Sequence, residues 1–210
     1  MRLRILVADD HAIVRQGFRA LLERAGFDVV GEAVNGQEAV RLAGELKPDV
    51  ALLDLSMPLM NGLEAGREIQ RTRKDTHVVL LTMHAEDHMM AAALRAGIRA
   101  YVLKSQAADE LVGAIRAVMH HEIYLSPGIS KFVLDAYLNG ETAAVDPLAP
   151  RERQVLQLVA EGKTSKDIAG VLGLSTKTAE SYRARMMEKL DIHDTASLVR
   201  YAIRQGIVQA

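Results

Sequence analysis

The chain has no cysteine, which excludes disulfides, thiolate metal centres and cysteine nucleophiles. It has no apolar run near the roughly 18 residues that a transmembrane helix needs. Met1 to Leu6 alternates charge and hydrophobicity and leads into Asp9-Asp10. No secretory signal is expected there, and the chain is expected in the cytoplasm, without a membrane partner. There is no low-complexity tract. Net charge is also close to absent, −1 over 210 residues, which argues against a protein that coats nucleic acid along its whole length. That charge is unevenly spread: residues 1–120 carry −1, residues 121–145 carry −2, and residues 146–210 carry +2. Only the C-terminal segment is positive, which weakly favours nucleic-acid contact there. What remains is ordinary: 49% hydrophobic and 25% charged residues, as in a globular protein with room for one large or two small domains.

Two textures meet near residue 121. Before it, short apolar runs (Leu3–Ala8, Asp28–Ala33, Val50–Leu53, Val78–Thr82, Ala100–Leu103) alternate with stretches of helical periodicity. Val14, Phe18, Leu21 and Leu22 share one helical face, as do Ala39, Leu42, Ala43 and Leu46, and Leu111, Ile115, Val118 and Met119. Gly26 and Gly97 stand where helices stop. This predicts a five-fold βα repeat, doubly wound around a parallel sheet. After residue 121 no strand-like run occurs. Pro127 opens a linker helix carrying Ile129, Phe132, Val133, Ala136 and Tyr137, Gly140 ends it, and Glu141 to Pro147 is the expected joint. Four short helices follow, broken at Gly162 and Gly173. The domains are thus 1–120, a linker at 121–146, and 147–210.

In an open parallel α/β sheet, ligands bind beyond the carboxyl ends of the strands. The first run ends in Asp9-Asp10, the third in Asp54, the fourth in Thr82, and the fifth leads into Lys104. Clustered carboxylates repel unless they take up protons or a cation, and Mg²⁺ suits such an oxygen set. A central carboxylate is a nucleophile toward phosphorus. An ammonium and a hydroxyl steady the phosphoryl oxygens. Taken singly, each residue is unremarkable, since a lone Asp at a strand end commonly caps a helix. Their convergence on one rim is the signal.

With these residues in view, residues 1–120 resemble the receiver domain of two-component response regulators, through ILVADDH, LLDLSMPLMNG, LLTMH and YVLKS. The resemblance implies a flavodoxin-like fold with Asp54 as phosphoacceptor. It implies a Mg²⁺ site of Asp9, Asp10, Asp54 and the Ser56 carbonyl, a switch pair of Thr82 and Tyr101, and Lys104 on the phosphate. Pro58 and Gly62 match the turn after the acceptor. Ser105 stands where many receivers have proline. Because Lys104 must still reach the phosphate, the Lys104–Ser105 peptide is expected to be cis.

Gly162 to Leu190 reads as helix, tight turn, helix. Thr164 caps the first helix with Asp167 three residues on, and Ser175 caps the second. Lys177, Glu180, Ser181 and Ala184 lie opposite Ala179, Tyr182 and Met186, the arrangement of a helix packed on one side and free to meet base edges on the other. Tyr182 is read as core rather than as a DNA-stacking ring. Arg183, Arg185 and Lys189 are placed to reach phosphates. Glu180 stays open between a cytosine acceptor and a partner for Arg183.

The stretch LAPRERQVLQLVAEGKTSKDIAGVLGLSTKTAESYRARMMEKL is similar to the LuxR-type DNA-binding domain of NarL-type response regulators, over most of residues 147–210. Ala149 replaces the family's usual capping threonine. Glu152 then lacks a partner and that helix end is expected to fray. Ser181-Tyr182 replaces a threonine–histidine pair. The resemblances imply an α/β plus all-α chain: a transcription regulator, not an enzyme, phosphorylated by a histidine kinase and binding double-stranded DNA as a homodimer. Two other classes remain in view. One is a receiver acting only by docking to a protein. The other is a phosphatase of the haloacid dehalogenase type, which needs a second acid where Ser56 stands. The adjacent pair His120-His121 does not face one metal site.

Overall fold

The computed structural model describes residues 2–83, 89–130 and 147–208. The chain divides into two compact units, Met1–Ala143 and Ala144–Ala210.

The first unit is built on β1 (Arg4–Ala8), β2 (Asp28–Ala33), β3 (Val50–Asp54), β4 (His77–Thr82) and β5 (Ala100–Leu103). Between and after them come α1 (Ala12–Arg24), α2 (Gly36–Leu46), α3 (Gly62–Thr72), α4 (Met89–Arg95) and α5 (Ala107–Met119). The sheet is parallel in the order β2-β1-β3-β4-β5, and a sixth strand, β6 (Tyr124–Leu125), extends it beyond β5.

Strand side chains alternate between the two faces, and the core follows that period. Ile5, Val7, Val50, Leu52, Val79 and Leu81 pack with Phe18 and Leu22 of α1 and Leu111 and Ile115 of α5. Leu6, Ala8, Ala51, Leu53, Val78 and Leu80 pack with Ala39 and Ala43 of α2 and Leu63 and Ile69 of α3. Both faces are covered, so the strands read as continuous apolar runs rather than alternating ones.

The segment expected to be linker from residue 121 begins inside this unit. Tyr124 and Leu125 pair with Ala100 and Tyr101 of β5, and Ile129 is buried in the same cluster as Tyr101. A helix does start at Pro127, but Phe132, Val133, Ala136, Tyr137 and Gly140 lie outside the described residues, as does the expected joint apart from Pro147.

The second unit holds α6 (Pro150–Ala160), α7 (Ser165–Leu172), α8 (Thr176–Leu190) and α9 (Thr195–Arg204). Val155, Leu156, Ile168, Leu172, Ala179, Met186, Leu198 and Ala202 form its buried interior. Gly173 ends α7 at φ 63°, a left-handed value that favours glycine. No helix among the described residues is long and apolar enough to cross a membrane.

Candidate functional site

The parallel register brings β1, β3, β4 and β5 to one rim. Asp54 closes β3, pairing with Leu81 of β4, and Thr82 pairs with Leu103 of β5, one residue before Lys104. Asp9, Asp54 and Thr82 are all buried. Lys104 Nζ reaches 2.7 Å from Asp9 Oδ2 and 2.9 Å from Asp54 Oδ2, with its side chain 12% exposed. Asp9 Oδ1 also accepts the His11 backbone N–H at 2.9 Å. Asp10 stays at the mouth, 2.8 Å from His11 Nδ1. Asp9, Asp10 and His11 each bring a ligand atom within 4.8 Å of the others, close enough to share a metal ion.

Burial pushes the Asp54 carboxyl up to about 6. Lys104 opposes that rise, the Asp9 charge adds to it, and the Ser56 backbone N–H opposes it again. For Lys104, burial disfavours the charged form, but the two carboxylates outweigh it and hold the ammonium above its ordinary value. Two carboxylates sharing one ammonium leave negative charge in excess, which suits a hard cation that takes oxygen ligands.

The loop after Asp54 is folded tightly against it. Leu59 adopts φ 66°, Asn61 caps α3 by accepting the Glu64 N–H at 2.9 Å, and a Cβ on Gly62 would stand 2.2 Å from the Asp54 carbonyl oxygen. Only glycine lets the helix start this close to the acceptor.

One expectation about this pocket changes. Among the described residues there is no cis peptide. Lys104–Ser105 is trans, and the lysine reaches the carboxylates because residues Lys104–Gln106 form a 3₁₀ turn directly off β5. Tyr101, the other member of the expected switch pair with Thr82, is buried in the core.

In the second unit α7 and α8 form the expected helix-turn-helix. Thr164 and Asp167 make a complete capping box, with Asp167 Oδ2 accepting the Thr164 N–H at 3.0 Å and Thr164 Oγ1 accepting the Asp167 N–H at 3.2 Å. Ser175 Oγ accepts the Thr178 N–H at 3.1 Å. Lys177, Glu180, Ser181 and Ala184 share the exposed face of α8. Tyr182 is only half-buried, and Arg185 lies over its ring at 4.9 Å, so the ring is neither wholly core nor free.

The cations of α8 are more engaged than their spacing suggests. Arg183 donates to Thr195 Oγ1 at 2.6 Å and Arg185 to the Ser181 carbonyl at 3.4 Å. Lys189 lies 2.7 Å from Glu152 Oε2, with side chains 42% and 5% exposed respectively. Lys177 alone of these four has no side-chain partner among the described residues. Glu152 therefore does not lack a partner. It accepts the Ala149 N–H at 2.8 Å as well, which secures the start of α6 without a capping hydroxyl. Burial raises the Glu152 carboxyl, but the Lys189 and Ala149 hydrogen bonds outweigh it and hold it below the usual carboxylate range. Arg151, unassigned from sequence, donates to the Leu172 carbonyl at 2.7 Å and ties α6 to the end of α7.

A carboxylate–lysine pocket on a parallel sheet, followed by a capped helix-turn-helix, defines a phosphoacceptor module joined to a DNA-binding module. Residues 5–116 match the family of the response regulator receiver domain, and residues 146–202 match bacterial regulatory proteins of the luxR family. The chain is 37% identical over 211 residues to the response regulator UvrY of Escherichia coli, covering 99% of this chain and 97% of that one. It is 39% identical to the transcriptional regulatory protein LiaR of Bacillus subtilis, covering 98% and 99%. Among solved structures it is similar to RcsB of Salmonella enterica serovar Typhimurium, bound to promoter P1flhDC in the presence of phosphomimetic BeF₃⁻. There the identity is 30% and the TM-score 0.63, covering 96% of this chain and 98% of that one. The chain belongs to the transcriptional response regulators that join a receiver domain to a LuxR-type DNA-binding domain.

Proposed function

We propose that phosphorylation of Asp54 by a histidine kinase controls DNA binding by α8. The observation that carries this reading is the Lys104 ammonium held between Asp9 and Asp54 at 2.7 and 2.9 Å, a buried carboxylate with its charge partner beside it. An Asp54 carboxylate oxygen attacks the phosphorus of a phosphohistidine. A P–O bond forms, the P–N bond breaks, and its electron pair returns to the imidazole. Lys104 then serves the phosphoryl oxygens, and the Thr82 hydroxyl donates to one of them. Mg²⁺, held by Asp9, Asp10, Asp54 and the Ser56 carbonyl, supplies charge neutralisation when bound. Ser56 stands two residues after Asp54, where a hydrolase would need an acid, so the acyl phosphate is kept as a signal rather than turned over.

Lys177, Glu180, Ser181 and Ala184 face the major groove and Arg183 and Arg185 the phosphates. The active form is a cytoplasmic homodimer on a near-palindrome, because helix-turn-helix dimers read half-sites about one DNA turn apart. Acetyl phosphate with Mg²⁺ should label Asp54 alone, and labelled protein should shift operator DNA at lower concentration in a gel. Acid-stable label on a Ser or His, or equal DNA affinity with and without label, overturns the reading.

A further inference from the structure

Ser126 stands where three elements meet. Its backbone N–H donates to the Tyr101 carbonyl at 3.1 Å, ending the β5–β6 ladder. Its carbonyl accepts the Ile129 and Ser130 N–H groups, both at 2.9 Å, which starts the helix at Pro127. Since that carbonyl has turned away into the helix, the Leu103 N–H at the end of β5 bonds the Ser126 hydroxyl instead, at 3.0 Å. The hydroxyl in turn donates to the Glu110 carboxylate of α5. Ser126 is fully buried, as is Ile129 three residues on. A buried hydroxyl bonded on both sides is costly to leave half-satisfied, so this joint favours one arrangement.

The place of the joint gives it a consequence. Tyr101 and Leu103 are the two β5 residues whose backbones it holds, and Leu103 immediately precedes Lys104. When Asp54 carries a phosphoryl group, the Lys104 ammonium has to follow charge that now lies one P–O bond farther from the aspartate. The chain that leaves Ser126 is the chain that runs on to the DNA-binding unit.

We propose that Ser126, with Glu110, is the positioning residue that couples the phosphorylation pocket to the linker. Through the Leu103 N–H it ties the end of β5 to the first turn of the helix at Pro127, so the two move together. This rests on the proposed control of DNA binding by Asp54, and the two can fail separately.

The test uses the full-length chain. Ser126→Ala and Glu110→Leu are compared with wild type and with Glu110→Gln, which keeps an acceptor for the hydroxyl. Labelling by acetyl phosphate should be similar in all four. The ratio of operator affinity with and without label should fall by about fivefold or more in Ser126→Ala and Glu110→Leu and return in Glu110→Gln. A role in stability alone would lower melting temperature without changing that ratio. Amide exchange of residues 124–130 with and without BeF₃⁻ gives a second readout, independent of DNA. Wild type should respond there and Ser126→Ala should not. If the wild-type affinity ratio is one, control by Asp54 fails, and the exchange readout still judges the joint. If Ser126→Ala and Glu110→Leu keep the wild-type ratio or exchange response, the joint is not the coupling element.

Discussion

In the first unit Lys104 lies 2.9 Å from Asp54, and in the second Lys189 lies 2.7 Å from Glu152. The contacts are alike in length and the carboxyls shift in opposite directions, Asp54 up to about 6 and Glu152 below its usual range. Burial separates them: at Asp54 it outweighs Lys104 and the Ser56 N–H, and at Glu152 the Lys189 and Ala149 hydrogen bonds outweigh it. Lys104 also divides its charge between two buried carboxylates, while Lys189 is paired with Glu152. Under-compensated, a buried carboxylate is poised to react. Fully compensated, it pins two helices together.

The largest expected effect comes from breaking the first contact. Lys104→Ala should slow labelling by acetyl phosphate on the order of 100-fold, the cost of removing one donor that meets developing charge. Unchanged labelling would mean that the ammonium serves only the resting pocket.

A stability measurement sharpens the contrast in sign. Asp54 holds its proton more tightly folded than unfolded, so ionising it costs stability as pH rises from 3.8 through about 6. Asp54→Asn should therefore be more stable than wild type at pH 7.5, by about 1–3 kcal/mol, with the gap closing as pH falls toward 3.8. Glu152 behaves oppositely. Its contribution is complete above the ordinary carboxylate range and is lost as pH falls through its lowered value. If the Asp54→Asn gap widens on acidification, the shift assigned to Asp54 has the wrong sign.

Lys189→Ala leaves the Glu152 carboxylate buried with one partner. It should cost about 1–3 kcal/mol, less than for a fully buried pair because the ammonium is half exposed. The salt dependence of DNA binding should not change. A salt slope reduced by about one unit would make Lys189 a phosphate contact, as its place on α8 predicts.

The smallest effect is at the helix-turn-helix itself. Glu180→Ala and Ser181→Ala should alter preference within an operator library by about 1–3 kcal/mol per lost base contact. They should leave melting unchanged, because both side chains are exposed. A uniform loss across the library would place this face on the backbone.

The strands were legible because burial on both faces makes each one a short apolar run. Asp28–Ala33 and Ala100–Leu103 appear in the structure with the bounds read from sequence. The pocket was legible because strand ends in a parallel sheet share a rim. Strand β6 was not, since two residues, Tyr124 and Leu125, carry no periodicity. The Glu152–Lys189 pair was invisible because its members stand 37 positions apart and meet only after α6 and α8 pack. The trans Lys104–Ser105 peptide was missed because the 3₁₀ turn that delivers the lysine leaves no mark in composition.

Strand β6 also bears on solubility. The opposite border of the sheet, β2, carries Asp28 and Glu32, with Arg19 at 2.8 Å from Glu32, and charge on a border strand discourages strand-to-strand association. The β5 sequence Ala-Tyr-Val-Leu has no such charge, and on the side away from β4 its backbone groups pair, among the described residues, with Tyr124, Leu125 and Ser126. A fragment cut after residue 120 would bare an uncharged border ready to pair with its own kind. One extended through residue 130 keeps it sealed, so the receiver unit carries part of what the sequence pattern assigns to the linker.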